Sequence, residues 1–324
     1  MTMTDFSPPP RVSGKAVVAG VLGLLSLVLL IVTGLPALLV GFLALREINQ
    51  SDGRLGGRRL AVGGMVLGAF GTLVFVIWVG TVVLFQLREE SNRVLCQNNL
   101  RVIGQAANLF YEEEKLYPAG TIPNNALPPD RRLSWLVSLL PLLPQEPGSK
   151  IHRPKATYDA INQNLAWDAP ANAEAVNTPI RWFLCRSDLA TPASHRPALT
   201  SYVGIAGVGA DAPELPADSP RAGVFGYDRR TSRENITAGI SHTMLATETA
   251  QDNGPWAAGG PATVRGVVPG QQPYIGFGRP FGGCHPGGLN VLFVDGHVEF
   301  IKDTIGARQF EALATLAADG ASPP

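Results

Sequence analysis

His285, Asp295 and His297 lie within thirteen residues of one another. Imidazole and carboxylate groups in that proximity suit a transition metal or general acid–base work. Each also has a simpler explanation. Asp295 precedes Gly296 between alternating apolar residues, the strongest short signal of a β-hairpin turn, because both turn positions need positive φ. His285 sits in the loop Cys284-His285-Pro286-Gly287-Gly288, where a side-chain bond to backbone accounts for such a residue. No metal, no cofactor and no catalytic residue are therefore expected.

Cysteine is the other reactive side chain. Cys96, Cys185 and Cys284 include no Cys-x-x-Cys pair, so neither a zinc ribbon nor a thioredoxin-like site is indicated. An oxidising compartment permits one disulfide and leaves one thiol over. The expected pair is Cys96 with Cys185, the alternative being three unpaired buried cysteines. Gly-x-Ser-x-Gly, His-Glu-x-x-His and Gly-x-x-x-x-Gly-Lys are all absent, which removes the common hydrolase and nucleotide signatures. The glycines between Gly204 and Gly209 lack the helix and acidic residue of a dinucleotide site and read as strand glycines.

The elements that must carry these residues are legible in part. Residues 289–294 and 297–302 alternate around Asp295-Gly296, which predicts a hairpin whose two-residue turn pairs Phe293 with Val298 and Val291 with Phe300, one apolar face forming core. Short strands are expected at 182–185, 201–205, 224–226 and 243–248, and short helices at 134–140, 158–165 and 173–176. Residues 86–115 hold no proline, and Leu95, Val102, Ile103, Ala106, Leu109 and Phe110 recur at helical spacing.

Charge is unevenly spread. The 324 residues carry 26 Lys+Arg and 26 Asp+Glu, 16% charged in all, which excludes a strongly basic nucleic-acid binder. Residues 16–45 and 60–87 contain no charge, so all 52 charges fall on the other 266 residues. Each run exceeds the roughly 20 apolar residues that cross a bilayer. Both read as transmembrane spans joined by a loop at 46–59. That loop holds Arg46, Arg54, Arg58 and Arg59, which places it in the cytoplasm and residues from about 88 onward outside, by the positive-inside rule. Gly64-xxx-Gly68 and the neighbouring glycines offer close approach between the spans.

A resemblance runs through the second part of the chain. Cys96-Gln-Asn-Asn-Leu-Arg-Val-Ile-Gly104, Ser134-Trp135, Phe183-Leu-Cys-Arg-Ser-Asp188, Ser201-Tyr-Val-Gly204, Asn235 to Thr243, Glu248-Thr249 and Phe281 to Asn290 occur in order. Over residues 90–305 this pattern resembles the domain of unknown function 1559, described as type II secretion pseudopilin-like, with a C-terminal His-x9-Asp-Gly signature. His285 followed by Asp295-Gly296 fits it, and the signature residues carried over are His285, Gly287, Gly288, Asn290, Asp295 and Gly296. Residues 14–87 resemble the domain of unknown function 4190. The resemblance implies a long helix, half in the membrane, packed on an antiparallel sheet. The second span lacks the prepilin leader usual in the family, Arg186 stands where proline is common, and His297 where serine is common.

The resulting expectation is an α+β chain: a disordered N-terminus at 1–15, a transmembrane hairpin at 16–87, a pseudopilin-like extracytoplasmic domain at 88–305, and a short C-terminal helix and tail at 306–324. Its expected role is that of a non-enzymatic inner-membrane envelope protein. Expected partners are the lipid bilayer and other envelope proteins or a second copy, without nucleic acid. The alternative is an extracytoplasmic ligand-binding module or metal-dependent hydrolase.

Overall fold

The computed structural model describes residues 11–12, 14–15, 17–19, 21–22, 31–52, 54–145, 153–188 and 191–317. Residues 23–30 of the first expected span, most of the N-terminus expected to be disordered and the end of the expected tail lie outside the described residues. The chain divides into two compact units, Met1–Arg88 and Glu89–Pro324.

In the first unit, helix α1 spans Ile31–Asn49, and helix α2 starts at Arg58, continuing to Glu114. Between them Ser51 makes the turn, its hydroxyl donating to the Ile48 carbonyl at 2.8 Å and accepting from the Leu55 N–H at 3.0 Å. The two helices touch through glycines. A Cβ on Gly34 would stand 2.3 Å from Thr72 Oγ1, and one on Gly68 2.9 Å from the Ala37 Cβ. Small residues let helix backbones approach this closely. The outer surfaces are apolar and exposed: Leu39, Phe42, Phe70, Trp78, Leu84 and Phe85 all face outward. Among the described residues one helix, Arg58–Glu114, is long and apolar enough to cross a membrane.

The second unit is built on the rest of α2. Cys96, Leu100, Ile103, Ala107 and Tyr111 recur every three or four residues and are all buried, the stripe by which a helix packs on a core. The helix stops at Glu114, and Lys115 adopts φ 55°, the left-handed conformation that commonly ends helices. Tyr117 then ties the exit to the body, its backbone N–H donating to the Thr231 carbonyl at 2.8 Å while its hydroxyl donates back to Asn108 Oδ1 of the helix at 3.0 Å.

Five strands form the sheet: β1 Tyr202–Val208, β2 Met244–Glu248, β3 Val264–Val267, β4 Gly288–Phe293 and β5 Val298–Lys302, in the order β3-β1-β2-β4-β5. Only β1 and β3 run parallel. Three short helices, α3 Trp135–Leu139, α4 Pro154–Asp159 and α5 Ala173–Val176, precede it, and α6 Ala307–Leu313 follows. Both faces of β4 are buried. Leu292 and Val294 join the cluster that contains Leu100 and Ile103, whereas Leu289, Val291 and Phe293 join Phe281 and Phe310 of α6 in a second one. The expectation of a single core face on this hairpin is thus corrected.

The hairpin register is also corrected by one residue. Leu292 opposes Val298 and Val291 opposes Glu299, because the loop has three residues, closed by the Phe293 N–H donating to the His297 carbonyl at 3.0 Å. Gly296, at φ 95°, takes the left-handed position that such a loop needs. Two expected strands do not form. Residues 181–183 make a 3-10 turn that buries Phe183 beside Trp256, ring centroids 5.9 Å apart. At 224–226 the apolar residues are buried, Phe225 against Trp135 at 4.5 Å. There the carbonyls of Gly223 and Phe225 accept from the Arg229 guanidinium and that of Val224 from the Thr231 hydroxyl, so no strand ladder completes. The expected helix at 158–165 forms earlier, as α4. Strand β3 is an addition.

Candidate functional site

Four separate segments of the second unit meet at one buried point. Helix α2 supplies Glu89 and Cys96, seven residues and so about two turns apart on one face. The turn after residues 181–183 supplies Cys185. The end of β2 supplies Glu248, and the loop before β4 supplies His285. Cys96 and Glu248 have no exposure, Cys185 3% and His285 5%.

The geometry is specific. His285 Nε2 lies 3.4 Å from Cys185 Sγ and 3.4 Å from Glu248 Oε1. Its other ring nitrogen, Nδ1, lies 2.5 Å from Glu89 Oε1. Ser187 donates its hydroxyl to Glu89 Oε2 at 2.8 Å, and Asn92 donates to Ser187 at 3.2 Å. Glu248 is fixed by the neighbouring strand. Thr247 pairs with Val291 across β2 and β4, which sets the next residue beside Asn290. The backbone N–H of Asn290 donates to Glu248 Oε2 at 2.7 Å and its amide to Oε1 at 2.9 Å. Gln97 of α2 donates its side-chain amide to Asn290 Oδ1 at 3.0 Å. The ligand atoms of Cys96, Cys185, Glu248 and His285 all lie within 4.8 Å of one another.

Electrostatics follow from this packing. Burial by itself pushes the His285 imidazole down, but its hydrogen bonds to Cys96, Glu248 and Glu89 and the Glu248 charge outweigh it, lifting the group to about 10. The Cys96 thiol is pushed far up by its hydrogen bond to Cys185 and by burial. Cys185 goes up chiefly through its bond to Cys284, opposed by its bond to Cys96 and helped by burial. Cys185, His285 and Glu89 have the connectivity of a nucleophilic relay. A reactive cysteine, however, needs a depressed pKa and ready access, and this thiol is pushed up and only 3% exposed.

The signature residues divide between the two ends of β4. His285 enters the cluster and Asn290 orients Glu248. Gly287 adopts φ 80°, and Gly288 has no room for a side chain, since a Cβ there would stand 2.2 Å from the Ile301 carbonyl oxygen. Asp295 and Gly296 lie past the opposite end of the strand, which at about 3.4 Å per residue is roughly 17 Å long. There Asp295 accepts the His297 N–H at 3.0 Å and lies 2.6 Å from His297 Nδ1, while the His297 ring stacks on Phe293 at 4.4 Å. His285, Asp295 and His297 therefore form no common site.

Cys96 and Cys185 are neighbours, as the expected disulfide requires, but they are not bonded. All three cysteines are free and buried, and Cys185 is directed at the His285 ring. Glu89 and Glu248 were not singled out from the sequence. Glu248 carried a visible signal, a carboxylate ending an apolar strand, whereas Glu89 reads as an ordinary charge after a membrane span.

Comparison with known proteins places two family models on the chain. Residues 15–78 match a domain of unknown function (DUF4190), and residues 86–273 match a protein of unknown function (DUF1559). The second match includes Glu89, Cys96, Cys185 and Glu248 and ends before His285. No curated protein and no solved structure matches the chain. The larger match extends over more than half of the residues, and the chain belongs to the DUF1559 family.

Proposed function

We propose that this chain is a two-pass inner-membrane protein whose pilin-like domain, residues 88–305, lies outside the cytoplasm and works through protein contacts rather than turnover. The observation that carries the reading is helix α2. Residues 60–87 contain no charge and present Val66, Phe70, Trp78, Leu84 and Phe85 outward, a surface that lipid solvates and water does not. The same helix later supplies the buried stripe from Cys96 to Tyr111 against a largely antiparallel sheet, which is the pilin-like plan. Close contact of Gly34 and Gly68 supports a packed pair of spans. The arginines at 46, 54, 58 and 59 support a cytoplasmic loop. Burial of His285 and the thiols supports a structural centre, because His285 and Cys185 are only 5% and 3% exposed.

Two measurements test this. A reporter fused after Pro324 and active only in the cytoplasm is expected to stay silent, and signal from it overturns the orientation. Crosslinking in intact cells is expected to capture discrete protein adducts through the domain at 88–305. A chain that yields none overturns the contact role.

A further inference from the structure

Zinc in a closed protein site takes four ligands, at about 2.3 Å for sulfur and about 2.0–2.2 Å for nitrogen or oxygen. Tetrahedral ligands at those distances stand about 3.3–3.8 Å from each other. In the buried cluster the edge from Cys185 Sγ to His285 Nε2 is 3.4 Å and that from His285 Nε2 to Glu248 Oε1 is 3.4 Å. The full set with Cys96 Sγ stays within 4.8 Å. We propose that Cys96, Cys185, Glu248 and His285 form a four-ligand site for a divalent metal, with zinc as the ion suited to two sulfurs, one imidazole nitrogen and one carboxylate.

The surrounding groups are those that a metal site requires. A ligating histidine donates its second ring N–H to a carboxylate or carbonyl, which fixes the ring and its tautomer. Here Nδ1 is held by Glu89 at 2.5 Å and Nε2 is left facing the other three ligands. Ligating carboxylates are hydrogen-bonded in turn, and Glu248 takes both a backbone N–H and an amide from Asn290. Two thiols, an imidazole and a carboxylate from four segments, all buried, exceed what a core histidine needs for its own satisfaction. An approach exists as well. A cleft of about 460 Å³, bordered by Asn99, Arg186, Asp188 and Thr191, reaches Cys185.

Loading displaces the Nε2 proton and both thiol protons, since only the deprotonated groups bind metal. With all four positions filled by protein, the ion has no place for substrate, and its role is to hold helix α2 to β2, the 184–188 turn and the loop before β4. Cys284 touches Cys185 but lies outside the ligand set, which makes it the natural control.

The test uses the full-length protein in detergent, stripped with chelator, reduced with a phosphine, and titrated with Co²⁺ alone and then with Zn²⁺. The expected result is saturation at about one Co²⁺ per chain, a thiolate-to-cobalt charge-transfer band, and loss of that band on adding an equivalent of Zn²⁺. Cys284→Ser is expected to keep the band, and Cys185→Ser and His285→Gln to lose or reshape it. Should those two variants misfold, X-ray absorption of the zinc-loaded wild type decides, two sulfurs and two nitrogen or oxygen neighbours being expected. Folded, reduced wild type that binds no stoichiometric cobalt, or binds it without thiolate absorption, overturns the proposal. So does a Cys96–Cys185 disulfide in protein taken directly from cells.

Discussion

Two stretches of helix α2 obey the same helical geometry and meet opposite fates. Along residues 60–87 most of the large apolar side chains point outward, Val76 at 56% exposure and Leu84 at 67%, whereas Leu100 and Ile103 have none. The difference lies in what accompanies the apolar residues. The first stretch has no charged residue on any face, so no side of it favours water. In the second, Gln97, Asn98, Arg101 and Gln105 alternate with the apolar stripe, so one face seeks a protein core and the other remains wet. Hydrophobicity all round suits a membrane span or a fully enclosed core, and hydrophobicity on one side suits packing on a folded partner.

The sharpest way to probe this contrast is Leu100→Ala. Truncating a fully buried leucine is expected to destabilise the second unit by about 2–5 kcal/mol, read by chemical denaturation, with the membrane-bound fraction unchanged. Val76→Arg reverses the pattern. Arginine near the middle of a span costs about 2.5–3.5 kcal/mol of insertion, so carbonate extraction should release more of the chain while the second unit keeps its denaturation midpoint. If both variants shift both readouts, the contrast between the two stretches fails.

The two ends of β4 allow a finer comparison. Gly288→Ala pushes a methyl group against the Ile301 backbone and is expected to cost about 1–3 kcal/mol, seen as a lower thermal midpoint. The smallest effect is expected from Asp295→Ala. It removes the bond to the His297 N–H at the turn, worth about 0.5–1.5 kcal/mol, and should leave cobalt binding unchanged. Loss of cobalt binding in folded Asp295→Ala would rejoin the two ends into one site.

Much of the architecture was visible in local pattern. The helix across 86–115, the strands at 201–205 and 243–248 and the hairpin about Asp295 all arise from residues close in the chain, where spacing and turn chemistry act directly. The structure departs from local pattern where side chains take up backbone groups, where a turn lengthens, or where a neighbouring strand recruits a short segment. Residues 224–226 look like a strand, but Arg229 and Thr231 occupy their carbonyls. The hairpin turn took three residues rather than two, which shifted every cross-strand pair. Strand β3 was missed because Val264-Arg-Gly-Val267 is short and holds a charge, and β1 beside it makes it a strand.

By itself, then, the amino-acid order determined that two long stretches shun water in every direction and that an ordinary mixed helix-and-sheet domain follows, since both depend on composition and short-range periodicity. It also marked His285 as a residue to watch. Only the tertiary structure decided what His285 meets: Cys185 is 100 positions away and Glu89 is 196. Their meeting depends on the pairing of β2 with β4 and on the face that α2 turns inward. Those are properties of the assembled core, where a one-residue change in register would turn each side chain to the other face.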